Sequence, residues 1–306
     1  MGADKATRAV LKDLAAEPAL TRGSEDIDVV RATYDRVFSA WTAGAAVPTR
    51  EDWIEIASED HRTNALIVEP VQNSAVGSIL FIHGGGWSLG SALCYAPLCR
   101  AIAAETGMRV IVPDFPQAPE HPFPAAYELL VTVTDWAQTQ FEAPLFLAGD
   151  SAGGTLAAAI SSDKRFAKAI RGQALFYPVL DLRPSARYRS RRRFGSGKYF
   201  LSEDGILGAA SWYCGDANDP EDPRISPILS PKLDQTPPTF ILLPDLDPLK
   251  DEGEKYAALL KKSGVAVEVF RARNTVHGCV SFSGRIPQGY EGIQRAGSFL
   301  TGFALD

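Results

Sequence analysis

Residues 144–160 read PLFLAGDSAGGTLAAAI: an apolar run, then Gly149-Asp150-Ser151-Ala152-Gly153, then a stretch of small helix-forming residues. The apolar run suits a buried strand and the small residues a closely packed helix, so Ser151 falls on the sharp turn between them. A serine there takes strained backbone angles among crowded neighbours. Glycines two positions to either side let the chains approach without Cβ clashes. The hydroxyl then projects outward, and the following helix aims the Ala152 N–H and the positive end of its dipole at negative charge forming beside it. Those are the needs of a nucleophile that attacks a carbonyl. The five-residue pattern alone also fits ordinary turns, and the strand and helix on its flanks give it weight.

A second motif lies upstream, where the apolar strand 78–82 runs directly into His83-Gly84-Gly85-Gly86-Trp87. Consecutive glycines can turn successive backbone N–H groups toward one point, which builds the second part of an oxyanion hole. Gly84 and Gly85 are assigned as donors beside Ala152. A flexible connector would not explain so abrupt a start at the end of a buried strand.

Ser151 needs a base, and the chain has four histidines, His61, His83, His121 and His277. In hydrolases that carry the serine on a strand-to-helix turn, the acid and then the histidine follow it in the chain. His277 alone lies C-terminal to Ser151, in a turn-like stretch after the apolar run 265–270, and its Nε2 would take the Ser151 proton. The acid belongs after the run 239–243, where Asp245, Asp247 and Asp251 all occur. Spacing does not choose among them. One must reach Nδ1 of the imidazole, while the others suit the cap of the next helix.

Apolar runs at 53–56, 65–68, 78–82, 109–112, 145–148, 172–176, 239–243 and 265–270 alternate with helical patterns at 95–105, 124–138, 155–162 and 252–262. That alternation predicts an α/β architecture with a mostly parallel central sheet flanked by helices. Residues 1–50 read as amphipathic helix, with Val30, Tyr34, Val37, Phe38 and Trp41 at helical spacing, and form an added layer before the domain at 51–306. Residues 181–219 interrupt the alternation with Arg187, Arg189, Arg191, Arg192, Arg193, Gly195 and Gly197, and read as an insertion. A solvated or salt-bridged helix face is the expectation for that basic run.

The chain has 306 residues, 45% of them hydrophobic and 22% charged, enough to bury a large core. A formal charge of −6, from 31 basic and 37 acidic residues, argues against nucleic acid as a partner. No stretch approaches the roughly 18 apolar residues of a spanning helix, and Ala6 spoils an acylation signal at Gly2, so no membrane partner is expected and the cytoplasm is the expected compartment. The four cysteines, Cys94, Cys99, Cys214 and Cys279, lack paired or metal-ligand spacing, so free thiols and no metal are expected.

With these motifs assembled, the chain resembles the hormone-sensitive-lipase-like branch of the α/β-hydrolases, the family IV bacterial esterases. The likeness covers roughly 75–300 through H-G-G-G-W, A-P-E-H-P-F-P-A-A at 118–126, G-D-S-A-G-G, D-P-R-I-S-P at 222–227, D-P-L-K-D-E-G at 247–253 and His277-Gly278. It implies the α/β-hydrolase fold, with residues 1–50 and the 181–219 insertion as a helical cap over the pocket. It places the acid at Asp247 and the oxyanion loop at His83 to Gly86. It implies a carboxylesterase that acts on short to medium acyl-chain esters and requires no cofactor. Homodimers are common among such relatives and are expected here by analogy. Asp245-Leu246, Pro116-Gln117 and Cys279 depart from the usual residues; they surround the triad positions and bear on substrate shape. Cys279 is expected as a small apolar filler. Related plant gibberellin receptors have lost the catalytic histidine, whereas this chain keeps His277.

Overall fold

The apolar run before Ser151 forms a strand, Leu145–Asp150, buried along its whole length because it lies inside an eight-stranded sheet covered on both faces. The computed structural model describes residues 2–21, 26–44, 48–71, 76–141 and 143–304; residue 1 and residues 22–25 and 45–47 of the expected N-terminal layer lie outside them. The strands are β1 (Thr49–Ala57), β2 (Arg62–Pro70), β3 (Ser78–Ile82), β4 (Arg109–Pro113), β5 (Leu145–Asp150), β6 (Ile170–Phe176), β7 (Thr239–Pro244) and β8 (Val267–Ala272). Their order is β1-β2-β4-β3-β5-β6-β7-β8. β2 pairs antiparallel with β1 and β4, and every other pairing is parallel.

The helices are α1 (Lys5–Leu14), α2 (Pro18–Thr21), α3 (Ile27–Trp41), α4 (Ala92–Thr106), α5 (Ala125–Gln140), α6 (Ala152–Ser161), α7 (Arg189–Phe194), α8 (Glu203–Cys214), α9 (Lys250–Lys262) and α10 (Pro287–Thr301). Their ends follow from local chemistry. Asp4, Asp26, Ser91 and Ser202 accept backbone N–H groups at the starts of α1, α3, α4 and α8. Gly107 stops α4 in a left-handed conformation, its N–H donated to Ala103 O.

The two-residue period of β5 sends Leu145 and Leu147 into one core and Phe146 and Ala148 into the other. Helices α5, α6, α8 and α9 fill the first, and α1, α3, α4 and α10 the second. Helix α3 buries Tyr34, Val37 and Phe38, each worth about 1.5–3 kcal/mol relative to exposure, and leaves Val30 and Trp41 half-buried. The parallel strands deliver their C-terminal loops to one end of the sheet, where β3 runs into His83, β5 into Ser151, and β7 and β8 into the loops of Asp247 and His277.

Residues 181–219 hold α7 and α8, and the basic run there divides. Arg187, Arg189, Arg192 and Arg193 are exposed, whereas Arg191 is 2% exposed and paired with Glu252, itself fully buried, at 2.6 Å. Trp87 is buried against Tyr213 with ring centroids 4.5 Å apart, Phe194 is buried, and Trp212 is exposed. All four cysteines are free and buried. No helix among the described residues is long and apolar enough to cross a membrane.

Candidate active site

The crowding predicted around Ser151 is present. Ser151 sits at φ 52° and ψ −120°, the left-handed side that non-glycine residues avoid, and its N–H donates to Phe176 O at 2.9 Å. A Cβ on Gly153 would run into the carbonyl oxygens of Ile82 and His83, so the first turn of α6 abuts the end of β3. Glycine there lets the serine turn and the His83 loop share one small volume.

His277 lies between the serine and an acid. Its Nε2 is 2.8 Å from Ser151 Oγ, and its Nδ1 is 2.8 Å from Asp247 Oδ2. A carboxylate accepts only, so the ring proton sits on Nδ1 and leaves Nε2 to accept from the serine hydroxyl. Asp247 is fully buried, and its Oδ1 accepts the Leu249 N–H at 2.8 Å. The other two carboxylates go elsewhere. Asp245 Oδ2 accepts Asn274 N–H at 3.2 Å, which ties the acid loop to the histidine loop, and Asp251 Oδ2 accepts Ser190 N–H at 2.8 Å. Of the four histidines, His83 is buried between the rings of Tyr95 and Phe115 in the glycine loop.

The oxyanion assignment needs one correction. Gly84 N–H does not face the serine; it donates to Asp150 Oδ1 at 2.7 Å, and a backbone N–H has one hydrogen to give. The Gly84 carbonyl is also held, by His83 Nδ1 at 2.8 Å, and Gly85 O accepts from Ser88 N and Leu89 N. The N–H groups of Gly85, Gly86 and Ala152 have no acceptor among the described residues. Gly85 has φ +101° and a Cβ on it would overlap Leu89 O, so only glycine fits the bend. Gly86 follows at φ +61°, and its N–H, unlike that of Gly84, is not spent on an acceptor among the described residues. The glycine motif contained it, but spacing carries no sign of which N–H is already taken.

Two further residues touch the site without a sequence signal. Tyr177, at φ 40°, places its ring 4.6 Å from His277. Asp150, 2% exposed, accepts from Gly84 N and from the Tyr95 hydroxyl at 3.2 Å. Burial pushes the Asp150 carboxyl up from 3.8 to about 6, against the Gly84 N–H, His277 and Tyr95, which pull it down. Folded protein thus holds this proton more tightly than unfolded chain. Its contribution to stability is full below about pH 4 and is lost as the pH rises through about 6. The melting-temperature advantage of wild type over Asp150→Asn should therefore shrink across that window, and a constant difference would contradict the shift. Burial likewise pushes the Cys279 thiol up, in keeping with an inert filler beside the base.

With that geometry in hand, comparison with known proteins adds a family. Residues 79–281 match the alpha/beta hydrolase fold family. The chain is 35% identical over 223 residues to the carboxylic ester hydrolase LipN of Mycobacterium tuberculosis, covering 68% of this chain and 58% of LipN. It is 31% identical over 247 residues to ethyl acetate hydrolase of Pseudomonas putida, 77% of each. The hyperthermophilic esterase from the archaeon Pyrobaculum calidifontis superposes with a TM-score of 0.91 at 29% identity, covering 100% of both chains.

Proposed function

The chain belongs to the alpha/beta hydrolase fold family, in its hormone-sensitive-lipase-like branch, and from that membership we propose that it hydrolyses carboxylic esters through an acyl-enzyme on Ser151. It is a carboxylesterase. The observation that carries the mechanism is the single imidazole of His277 held 2.8 Å from both Ser151 Oγ and Asp247 Oδ2.

Ser151 oxygen bonds to the ester carbonyl carbon while its proton passes to His277 Nε2, and the carbonyl π electrons move onto oxygen. The N–H groups of Gly85, Gly86 and Ala152 hold that oxyanion, each worth about 10²–10³ in turnover. Asp247 keeps the imidazole in the reacting tautomer and stabilises it once protonated. Collapse expels the alcohol, which takes the proton from His277. Water repeats the sequence on the acyl-enzyme: it gives a proton to His277, attacks the acyl carbon, and releases the acid as Ser151 recovers its proton.

Helices α1 to α3 with α7 and α8 serve as the cap. In support, Arg31 of α3 donates to Ser88 O beside the glycine loop, and Phe38 meets Phe200 and Phe282. On the other side, a Cβ on Gly86 would lie 3.3 Å from Ala209 of α8. Short to medium acyl chains are the proposed substrates, by likeness to the family.

Hydrolysis of p-nitrophenyl esters over a graded acyl series, wild type against Ser151→Ala, tests this reading. Expected are turnover that falls with acyl length, its loss in the variant, and labelling of Ser151 by an organophosphonate. A wild type that neither turns over esters nor takes the label would overturn it.

A further inference from the structure

A buried chain of hydroxyls runs from the N-terminal helices to the glycine loop. Tyr34 of α3 and Tyr95 of α4 meet hydroxyl to hydroxyl at 2.7 Å, and Tyr95 Oη lies 3.2 Å from Asp150 Oδ2. Asp150 Oδ1 in turn accepts Gly84 N–H at 2.7 Å. The carboxylate can only accept, so Tyr95 donates to it, and Tyr34 must then donate to the Tyr95 oxygen. Tyr34, Tyr95 and Asp150 are all buried, and Tyr34 is fixed by stacking on Phe38 at 3.8 Å. Tyr95 also stacks on His83 at 5.2 Å, the residue whose Nδ1 holds the Gly84 carbonyl. Both backbone polar groups of Gly84 are thus anchored through Tyr95, next to the N–H groups of Gly85 and Gly86, which have no acceptor among the described residues.

We propose that Tyr34, Tyr95 and Asp150 form a positioning relay that sets the oxyanion loop, so that helix α3, outside the α/β sheet, tunes the chemical step. None of the three touches the reacting atoms. They fix the direction in which the loop presents its donors, and each hydrogen bond in the series strengthens the next by polarising it. The proposal rests on the Ser151 reading above, because an oxyanion loop matters to rate only if an oxyanion forms there.

The test measures kcat and KM for p-nitrophenyl acetate in the full-length wild type, Tyr34→Phe, Tyr95→Phe and the double variant. Affinity for an alkyl trifluoromethyl ketone, whose adduct with the serine carries an oxyanion, and melting temperature are recorded alongside. Phenylalanine keeps both rings and their stacking. Tyr95→Phe should lower kcat about three- to tenfold, the size of one net hydrogen bond, with KM unchanged. Tyr34→Phe should cost about two- to threefold, since it acts through Tyr95. The double variant should be no slower than Tyr95→Phe, and ketone affinity should fall in step with kcat. Wild-type kcat in the variants, or losses that multiply in the double variant, would overturn the relay. If Tyr95→Phe does not fold, Tyr34→Phe decides: reduced kcat with a wild-type melting temperature supports the relay, and wild-type kcat overturns it. A wild type without esterase activity overturns the Ser151 reading and the relay with it, whereas an active wild type matched by its variants overturns the relay alone.

Discussion

Asp247→Asn should lower kcat for ester hydrolysis by about 10⁴-fold, the loss expected when the acid of a serine triad becomes an amide and the imidazole turns to the wrong tautomer. The imidazole bond to Asp247 Oδ2 is 2.8 Å, and the carboxylate that accepts it is fully buried. Ser151→Ala and His277→Ala should each cost about 10⁶-fold, with the double variant no slower than either, because the two residues are expected to act as one unit. Asp245→Asn serves as the contrast. Asp245 holds the Asn274 N–H at 3.2 Å and makes no bond to the imidazole, so its loss costs about 1 kcal/mol of stability, with kcat within a fewfold of wild type. Values of kcat for the four single variants, normalised to the concentration of folded protein, check the ranking. Comparable losses at Asp245 and Asp247 would mean that the acid is misassigned.

That contrast marks where the sequence stopped being legible. Each of the eight apolar runs falls on a strand of the sheet; the central ones, such as β3 and β7, are buried on both faces and read as nearly continuous apolar residues, whereas the edge strands β1 and β8 are partly exposed and alternate. Ser151 was read from its glycine motif with strand and helix flanks, and His277 from chain order. Asp247 could not be chosen from spacing, since Asp245, Asp247 and Asp251 fall within seven residues and only side-chain direction separates them; the family likeness chose among them. Gly84 was misread for a related reason. A run of three glycines marks an oxyanion loop but does not say which N–H is spent on Asp150, a residue whose partner lies 66 positions away. Helix α10 left no clear pattern. Its Gly289 and Gly292 blur the helical signal, and they are glycine because a Cβ would collide with Cys279 O and with Leu242. Tyr34, Tyr95 and Asp150 come together only through tertiary packing, so no local spacing announces them.

The basic run at 187–193 is the other place where local pattern and tertiary fact diverge, and it carries the largest expected effect on stability. Arg191 Nη2 lies 2.6 Å from Glu252 Oε2 and 2.7 Å from Asp181 O, while Glu252 Oε1 accepts Leu180 N–H at 2.8 Å, so this buried pair fastens α7 to α9 and the end of the sheet. Burial pushes the Glu252 carboxyl up from 4.5 to about 7 even against the downward pull of Arg191 and of the Leu180 N–H. Arg191→Met removes the pull and leaves a buried carboxylate alone, which costs about 3–5 kcal/mol where that group is ionised. The sign with pH follows. Glu252 in the variant binds its proton more tightly when folded than when unfolded, so its contribution is full below the unfolded value of 4.5 and is lost as the pH rises through a folded value above about 7. Glu252 in the wild type already has a folded value of about 7, so the deficit of Arg191→Met should stay level below about pH 7 and grow by at most about 1.4 kcal/mol per pH unit above it, larger at pH 8 than at pH 5. Arg191→Met/Glu252→Gln, which keeps an acceptor for Leu180 N–H and removes the charge, should recover most of the loss and flatten that dependence. Denaturant unfolding at the two pH values reads both effects. A deficit in the single variant that is the same at pH 5 and pH 8 would mean that Arg191 acts by filling space rather than by compensating Glu252.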